Sequence, residues 1–313
     1  MTVLSATSAT RYLVLEMGAR GIGHLRYLTG LVPLRAAVVL NVGAAHAGEF
    51  GSIGATAQAK GELVEALDAG GVAVLNADDL LTAAMASRTV APLTLFGRTE
   101  AAQIRACDVT MDDGGRPRFV LHTPTGDAPV SLRLLGEHHV SNALAAAALA
   151  CALGLPVSEI ADALSAAQAA TGGRMQRHDR SDGVTIIDDA YNANPDSMAA
   201  GLRALASMSG GRRTVAVAGE MAELGAASGD AHQTIGELAA ALGIDVVIGV
   251  GGTAAARVVE GAAAADGATT YHVDDPTAAA VLLDKTLAAG DLVLVKGSRM
   301  AGLQALVSQL LSR

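Results

Sequence analysis

Lysine is nearly missing from this chain. Only Lys60, Lys285 and Lys296 occur among its 313 residues, within a basic total of 22. Tryptophan is absent and aromatic residues make up 2%, which excludes an aromatic platform for stacking bases and leaves the core to Ala, Val, Leu and Ile. Cys107 and Cys151 are the only cysteines; without a CxxC spacing they provide no disulfide framework. Charged residues amount to 17% against 51% apolar, the opposite of a disordered polyelectrolyte. The net charge is −9 and no basic stripe is present to displace counterions, so nucleic acid is not an expected partner. Alanine supplies much of the positive mean hydropathy of +0.38, and no run of about 20 strongly apolar residues exists to enter a membrane. No basic region followed by an apolar run marks a signal peptide at the N-terminus. The expectation is a soluble, cytoplasmic α/β protein, long enough for two or three domains.

Short apolar runs closed by a polar residue read as buried parallel strands: Tyr12–Glu16, Ala36–Asn41, Val72–Asn76 and Leu93–Phe96. Ser52–Leu67 reads as a helix rich in good helix formers. Ile104–Leu135 alternates polar and apolar residues around turn signals at Asp113-Gly114-Gly115 and Thr125-Gly126, the pattern of antiparallel hairpins. Helices are expected at His139–Leu153 and, after Pro156, at Ser158–Ala169. A Gly-rich break, Thr171-Gly172-Gly173-Arg174, and the polar stretch Arg177–Gly183 then interrupt the pattern. Beyond them strands at Val184–Asp188, Thr214–Ala218, Asp245–Val250, Tyr271–Val273 and Asp291–Lys296 alternate with helices at Pro195–Met208, His232–Leu242, Thr253–Ala263, Thr277–Ala288 and Met300–Leu311. That alternation implies a doubly wound parallel sheet. Two domains are expected, 1–177 and 178–313.

Ligands of parallel α/β sheets gather at the carboxyl ends of the strands. Glu16 closes the first expected strand, and His46 lies in the loop after the second. A carboxylate and an imidazole on adjacent strand ends suit a shared divalent cation; the alternative is a helix cap and an ordinary loop histidine. Lys60 sits on the following helix, either as a solvated charge or as part of that loop's chemistry. Asp188 and Asp189 open a dense polar loop, DDAYNANPDS, that runs into a helix at Pro195. It offers an anion-facing helix N-terminus or plain capping by Asn194 and Asp196. Lys296-Gly297-Ser298-Arg299 follows a strand directly and presents cations, a hydroxyl and loop amides to a carboxylate or phosphate. The phosphate-cradling pattern GxxxxGK[ST] occurs nowhere in the sequence.

Together these segments resemble the Mur ligase family: LEMGARGIGHLRYL, NVGAAHAGEFGS with AQAKGEL, VLNADD, LLGEHHVSNALAAAALA, GGRMQ, DDAYNANPDSMAAGL, AGEMAELG with a following His232, and LVKGSRMAGLQALV. DDAYNANPDSM and KGSR are the specific ones, and the DNPR-type loop of the diaminopimelate- or lysine-adding branch is not found. The resemblance implies a central ATPase-type mixed sheet, truncated at its N-terminus, followed by a Rossmann-like domain. It implies Mg²⁺ held by Glu16, His46 and Lys60, the last carbamylated by CO₂ into an anionic oxygen ligand. Asn142 would contact adenine, Arg174 the ATP phosphates, Asp189 the nucleotide, with Tyr191, Asn192 and Asn194 lining the cleft. Lys296, Ser298 and Arg299 would place the incoming amine substrate.

The implied reaction is ATP-dependent peptide-bond formation in peptidoglycan precursor synthesis. ATP converts the carboxylate of UDP-N-acetylmuramoyl-tripeptide to an acyl phosphate, and D-alanyl-D-alanine attacks it; the full-length form is expected to be a monomer. Such ligases also have an N-terminal substrate domain and a phosphate loop. The resemblance therefore places the start of this chain inside the second domain, with its central sheet short of a first strand, and implies no activity for the chain alone. Alternatives are a non-catalytic nucleotide- or dipeptide-binding paralogue, which intact Glu16, His46 and Lys60 argue against, and another amide ligase of the superfamily.

Overall fold

The structure, a computed structural model, describes residues 2–43, 52–265 and 267–312. Two six-stranded sheets follow one another along the chain. The first has the order β1-β2-β3-β4-β5-β6, built from Ala36–Val39, Val72–Asn76, Leu93–Gly97, Ile104–Met111, Pro117–Thr123 and Gly126–Ser131. Strands β1 to β4 pair in parallel; β5 and β6 are antiparallel hairpin strands. Its helices are α1 (His24–Leu31), α2 (Ile53–Glu65), the single turn α3 (Leu80–Ala83), α4 (His138–Ala152) and α5 (Val157–Ala166). Successive strand residues point to opposite faces, so Val74 joins the α4 side of the core while Ala73 and Leu75 join the α2 side. Both faces are thereby covered, as the apolar strands require.

The second sheet comprises β7 (Gln176–Asp179), β8 (Thr185–Asp189), β9 (Thr214–Gly219), β10 (Val246–Val250), β11 (Thr269–Val273) and β12 (Leu292–Lys296), in the order β11-β10-β9-β12-β8-β7. All pairs are parallel except β7 with β8. Helices α6 (Pro195–Ser207), α7 (Ser228–Ala241) and α8 (Thr253–Ala263) build the core on one face, and α9 (Pro276–Thr286) and α10 (Leu303–Leu311) the core on the other. The strand order reverses between β9 and β12, which places a crevice at their carboxyl ends.

The expected strand at Tyr12–Glu16 does not form. Residues 11–19 carry no regular structure, and Tyr12 and Val14 are 56% and 81% exposed. An apolar run becomes a strand only beside a neighbour that takes its backbone hydrogen bonds, and no described strand flanks β1 on that side. Three elements were not anticipated. Helix α1 lies in a glycine-rich stretch, α3 is a single capped turn, and β7 is polar because it is an edge strand. β7 crosses the division expected at residue 178 and pairs with β8 along its whole length. The last helix begins at Leu303, after a 3₁₀ turn at Arg299–Ala301 ended by Gly302 at φ 66°.

Candidate active site at the domain seam

Helix α6 crosses the seam between the two domains. Asn194 caps it with a full capping box: its side chain accepts from the Ser197 N–H at 2.8 Å while Ser197 Oγ accepts from the Asn194 N–H at 3.0 Å. Pro195 occupies its favoured first position. This fixes where the next residue points: Asp196 Oδ2 lies against the Gly43 backbone of the first domain, so close that a Cβ at Gly43 would overlap it.

Lys60 stands at the same place. On half-buried α2, its Nζ donates to the Asn41 carbonyl at 2.7 Å, just beyond the end of β1. Burial pushes its pKa below the usual lysine value, while the Asp79 and Asp196 carboxylates pull it back up. Asp79 is itself a brace: Oδ2 accepts from Val42 N–H at 2.9 Å and Oδ1 from Thr82 N–H at 2.8 Å, capping α3. The turn of α2 that carries Lys60 is clamped from outside. The Arg88 guanidinium donates to the Ala57 and Gln58 carbonyls at 3.1 and 2.8 Å and passes so near Gly61 that a side chain there would meet it. Buried Glu62, two residues after Lys60, accepts from Gly23 and Arg26 N–H at 2.6 and 3.1 Å and so anchors the N-terminus of α1.

The other lysine of the seam is enclosed. Lys296 is 3% exposed; its Nζ donates to Asp189 Oδ2 at 2.6 Å and to the Asn192 carbonyl at 3.0 Å. Asp189 Oδ1 accepts from Met175 N–H at 3.1 Å. Burial pushes the Asp189 carboxyl above the usual carboxylate range against the pull of Lys296. Nearby, Arg174 lies over the Tyr191 ring at 4.4 Å, a cation–π contact. The imidazoles of His138 and His139 are 4.3 Å apart at the start of α4. Burial lowers their pKa values to about 3 and about 4, and for His138 the neighbouring His139 and Lys296 add to the effect. Asn142 Nδ2 lies 3.4 Å from His139 Nδ1.

At the strand-order reversal a cavity of about 390 Å³ opens, lined by Glu220, Asp274, Ser298, Met300 and small apolar residues. Buried His232 shapes its β9 loop, with Nε2 accepting from Met221 N–H at 2.8 Å and Nδ1 facing the Ser228 carbonyl at 2.7 Å. Glu220 Oε1 accepts from Gly252 N–H at 2.9 Å.

Of the residues expected at a site, the structure therefore gathers Lys60, Asp189, Tyr191, Asn192, Asn194 and Lys296 along the seam, with Arg174 and Asn142 on its exposed side and Ser298 at the cavity. Arg299 is exposed. Glu16 does not end a strand; it is exposed on the irregular N-terminal segment. His46 lies outside the described residues. Among the described residues no group of three or more His, Cys, Asp or Glu is placed to hold a metal. Asp79 and His138 were not singled out from sequence, where VLNADD and GEHHVSN carried their only signal; Asp196 was expected only as a cap and Glu220 only as part of AGEMAELG.

The first 150 residues match the family model described as Mur ligase middle domain, and residues 173–299 that described as Mur ligase, glutamate ligase domain. A UDP-N-acetylmuramoyl-tripeptide–D-alanyl-D-alanine ligase of Mycobacterium tuberculosis is 46% identical over 329 residues, covering 99% of this chain and 64% of the relative. The ligase of the same name from Escherichia coli is 37% identical and is covered to 67%. This chain thus spans about two thirds of the length of the curated relatives it matches. A crystal structure of MurF from Acinetobacter baumannii superposes with a TM-score of 0.89 at 31% identity, over 99% of this chain and 67% of that one. MurF from Thermotoga maritima, in complex with ADP, gives 0.82 at 26% identity, over 96% and 66%. With both halves matched in order and both sheets superposed, the chain belongs to the Mur ligase family.

Proposed function

We propose that this chain supplies the central and C-terminal parts of an ATP-dependent ligase of the cytoplasm that joins D-alanyl-D-alanine to UDP-N-acetylmuramoyl-tripeptide through an acyl phosphate. The observation that carries the reading is the meeting of Lys60 with the DDAYNANPDS loop across Gly43, on residues shared with the motifs of that branch. The relatives' names and the ADP bound in the Thermotoga structure support the same choice of substrates.

Each part of the seam has a task in that reaction. Asn142, Arg174 and Tyr191 face the nucleotide, with Arg174 offering a cation to its phosphates. The Asp189–Lys296 pair holds the Asn192 carbonyl and the Met175 amide, and so fixes the two chain segments that line the nucleotide side. The 390 Å³ cavity takes the dipeptide: Glu220 and Asp274 attract its ammonium, Ser298 and Arg299 receive its carboxylate, and Ala222, Pro276 and Ala301 accommodate the methyl groups. The ammonium first gives up one proton to solvent; the free amine then bonds to the acyl carbon, the acyl C–O bond to phosphate breaks, and the second nitrogen proton leaves with the phosphate.

Mg²⁺ fits the Lys60 end in one form of that side chain only. An ammonium repels a cation, whereas a carbamate places oxygen donors beside Asp196, whose carboxylate accepts no hydrogen bond from the described residues; Glu16 and His46 are the further candidates. A bound Mg²⁺ offsets the charge on transferring phosphoryl oxygens. The free amine is the form that adds CO₂, and burial of Lys60 favours that form.

ADP release dependent on both the UDP-tripeptide and D-alanyl-D-alanine tests the proposal. It is measured on this chain alone and with a phosphate-loop domain of a relative supplied in trans. Turnover with the supplement is expected, lost in Lys60→Ala and partly rescued by a small carboxylate; release indifferent to the dipeptide in every mixture would refute the ligase.

A further inference from the structure

The cavity at the strand-order reversal is walled by backbone that has little room to move. Gly219 and Gly297 bring the ends of β9 and β12 so close that a Cβ on Gly219 would stand 3.3 Å from the Gly297 Cα and 2.9 Å from the Ala301 Cβ and Leu303 Cδ1. Ser298 N–H donates to the Glu220 carbonyl at 2.9 Å, and Ala301 N–H to the Ser298 carbonyl at 2.9 Å. Across the cavity Glu220 Oε1 holds the Gly252 N–H, and Gly251 N–H donates to the Val273 carbonyl at 3.0 Å. One lining side chain is free by comparison. Met300 borders the cavity and is 90% exposed, whereas every other methionine of the described residues is buried or half-buried. The apolar groups beside it, on Ala222, Val250, Pro276 and Ala301, are short or locked by a branch or a ring. Methionine has three rotatable bonds and a polarizable thioether, so it can swing over an occupant without disturbing the turn that carries it.

We propose, resting on the assignment of this cavity to the dipeptide, that Met300 is a specificity-determining residue whose thioether closes over the side chain of the dipeptide's C-terminal residue. The carboxylate received by Ser298 and Arg299 brings that residue beside Met300, the next position of the same turn. The N-terminal residue then lies toward Glu220 and Asp274. An apolar side chain at the C-terminal position is covered by the thioether, and the contact removes apolar surface of both from water. A hydroxyl there loses its water without gaining a good partner, because a thioether is only a weak acceptor. Met300 thereby sorts dipeptides by the polarity of their last side chain, while the fixed backbone walls limit its size.

Peroxide oxidation reads the cover and calorimetry reads the sorting, both on the chain alone and with a phosphate-loop domain of a relative supplied in trans. Hydrogen peroxide gives one oxygen to the thioether, leaving a sulfoxide and water. Trypsin then releases residues 300–313, in which Met300 is the only methionine, for mass spectrometry. D-alanyl-D-alanine should slow that oxidation about three- to tenfold, since susceptibility follows exposure. Ala222→Phe, which fills the cavity, should abolish the protection. Binding should favour D-alanyl-D-2-aminobutyrate over its isostere D-alanyl-D-serine by about tenfold, the cost of a hydroxyl buried without a partner. Met300→Ala should erase most of that preference, and Met300→Leu should keep it. Dipeptides whose binding is lost in Ala222→Phe, yet which leave Met300 oxidising at its free rate, overturn the cover alone. So does a preference unchanged in Met300→Ala. Binding of no dipeptide in either mixture, or binding indifferent to Ala222→Phe, overturns the assignment of the cavity and the cover with it.

Discussion

Lys60 and Lys296 stand on the two sides of one seam and are held in opposite ways. Lys296 has its counter-ion at 2.6 Å, a carbonyl at 3.0 Å and almost no exposure. Lys60 has one carbonyl at 2.7 Å, while its carboxylates are a brace already committed to two amides and a residue arriving from the other domain. A buried ammonium in direct contact with a carboxylate is a strut; breaking the pair leaves an uncompensated charge. An ammonium desolvated by its surroundings, with no contacting counter-ion among the described residues, is easier to deprotonate, and a free amine is a nucleophile. The same residue type is structural at one end of the seam and chemically available at the other.

The sharpest way to break this contrast is Lys296→Ala. It strands Asp189 inside the second domain and should cost about 3–5 kcal/mol in urea unfolding; a loss no larger than that of a surface substitution would remove the strut. Leu135→Ala comes next. It opens a void in a core that both domains share, where Leu135 clusters with Met198, Leu202 and Met208, and should cost about 2–4 kcal/mol. Because that core spans the seam, the transitions of both domains should shift, whereas a shift confined to the first would show that the domains fold independently. The histidines beside Lys296 give a pH test. Their folded pKa values of about 3 and about 4 lie below the ordinary 6.5, so the unfolded chain binds more protons in that window. Their contribution is full above pH 6.5 and is lost progressively as pH falls toward 3. Both rings should therefore remain neutral at pH 5 by NMR, and Lys296→Ala should raise the pKa of His138. The smallest effect on stability belongs to Lys60→Ala, within about 0.5 kcal/mol of the parent. A large loss there would make Lys60 a second strut and erase the comparison.

Much of the second domain was legible because its strands are unbroken apolar runs such as TIID, TVAVA and LVLV, each buried on both faces and each followed by an amphipathic helix. β7 escaped notice because an edge strand needs only one partner and tolerates a polar sequence, Gln-Arg-His-Asp. Tyr12–Glu16 misled for the converse reason: its residues suit a strand, but no described strand pairs with it. In the site, the capping chemistry of Asn194 and Pro195 could be read locally from spacing. The burial of Lys296 against Asp189, 107 residues away, could not, since it depends on β12 inserting beside β8 in the sheet, nor could the arrival of Asp196 on Gly43, which depends on how the two domains meet. Lysine scarcity pointed to the right side chains without distinguishing strut from nucleophile.

That distinction is the central claim, and carbon-13 NMR of the protein equilibrated with ¹³C-bicarbonate tests it most directly. The account predicts one slowly exchanging carbamate resonance that survives in Lys296→Arg and disappears in Lys60→Arg. A spectrum without a carbamate signal, or one whose signal persists in Lys60→Arg, would contradict it.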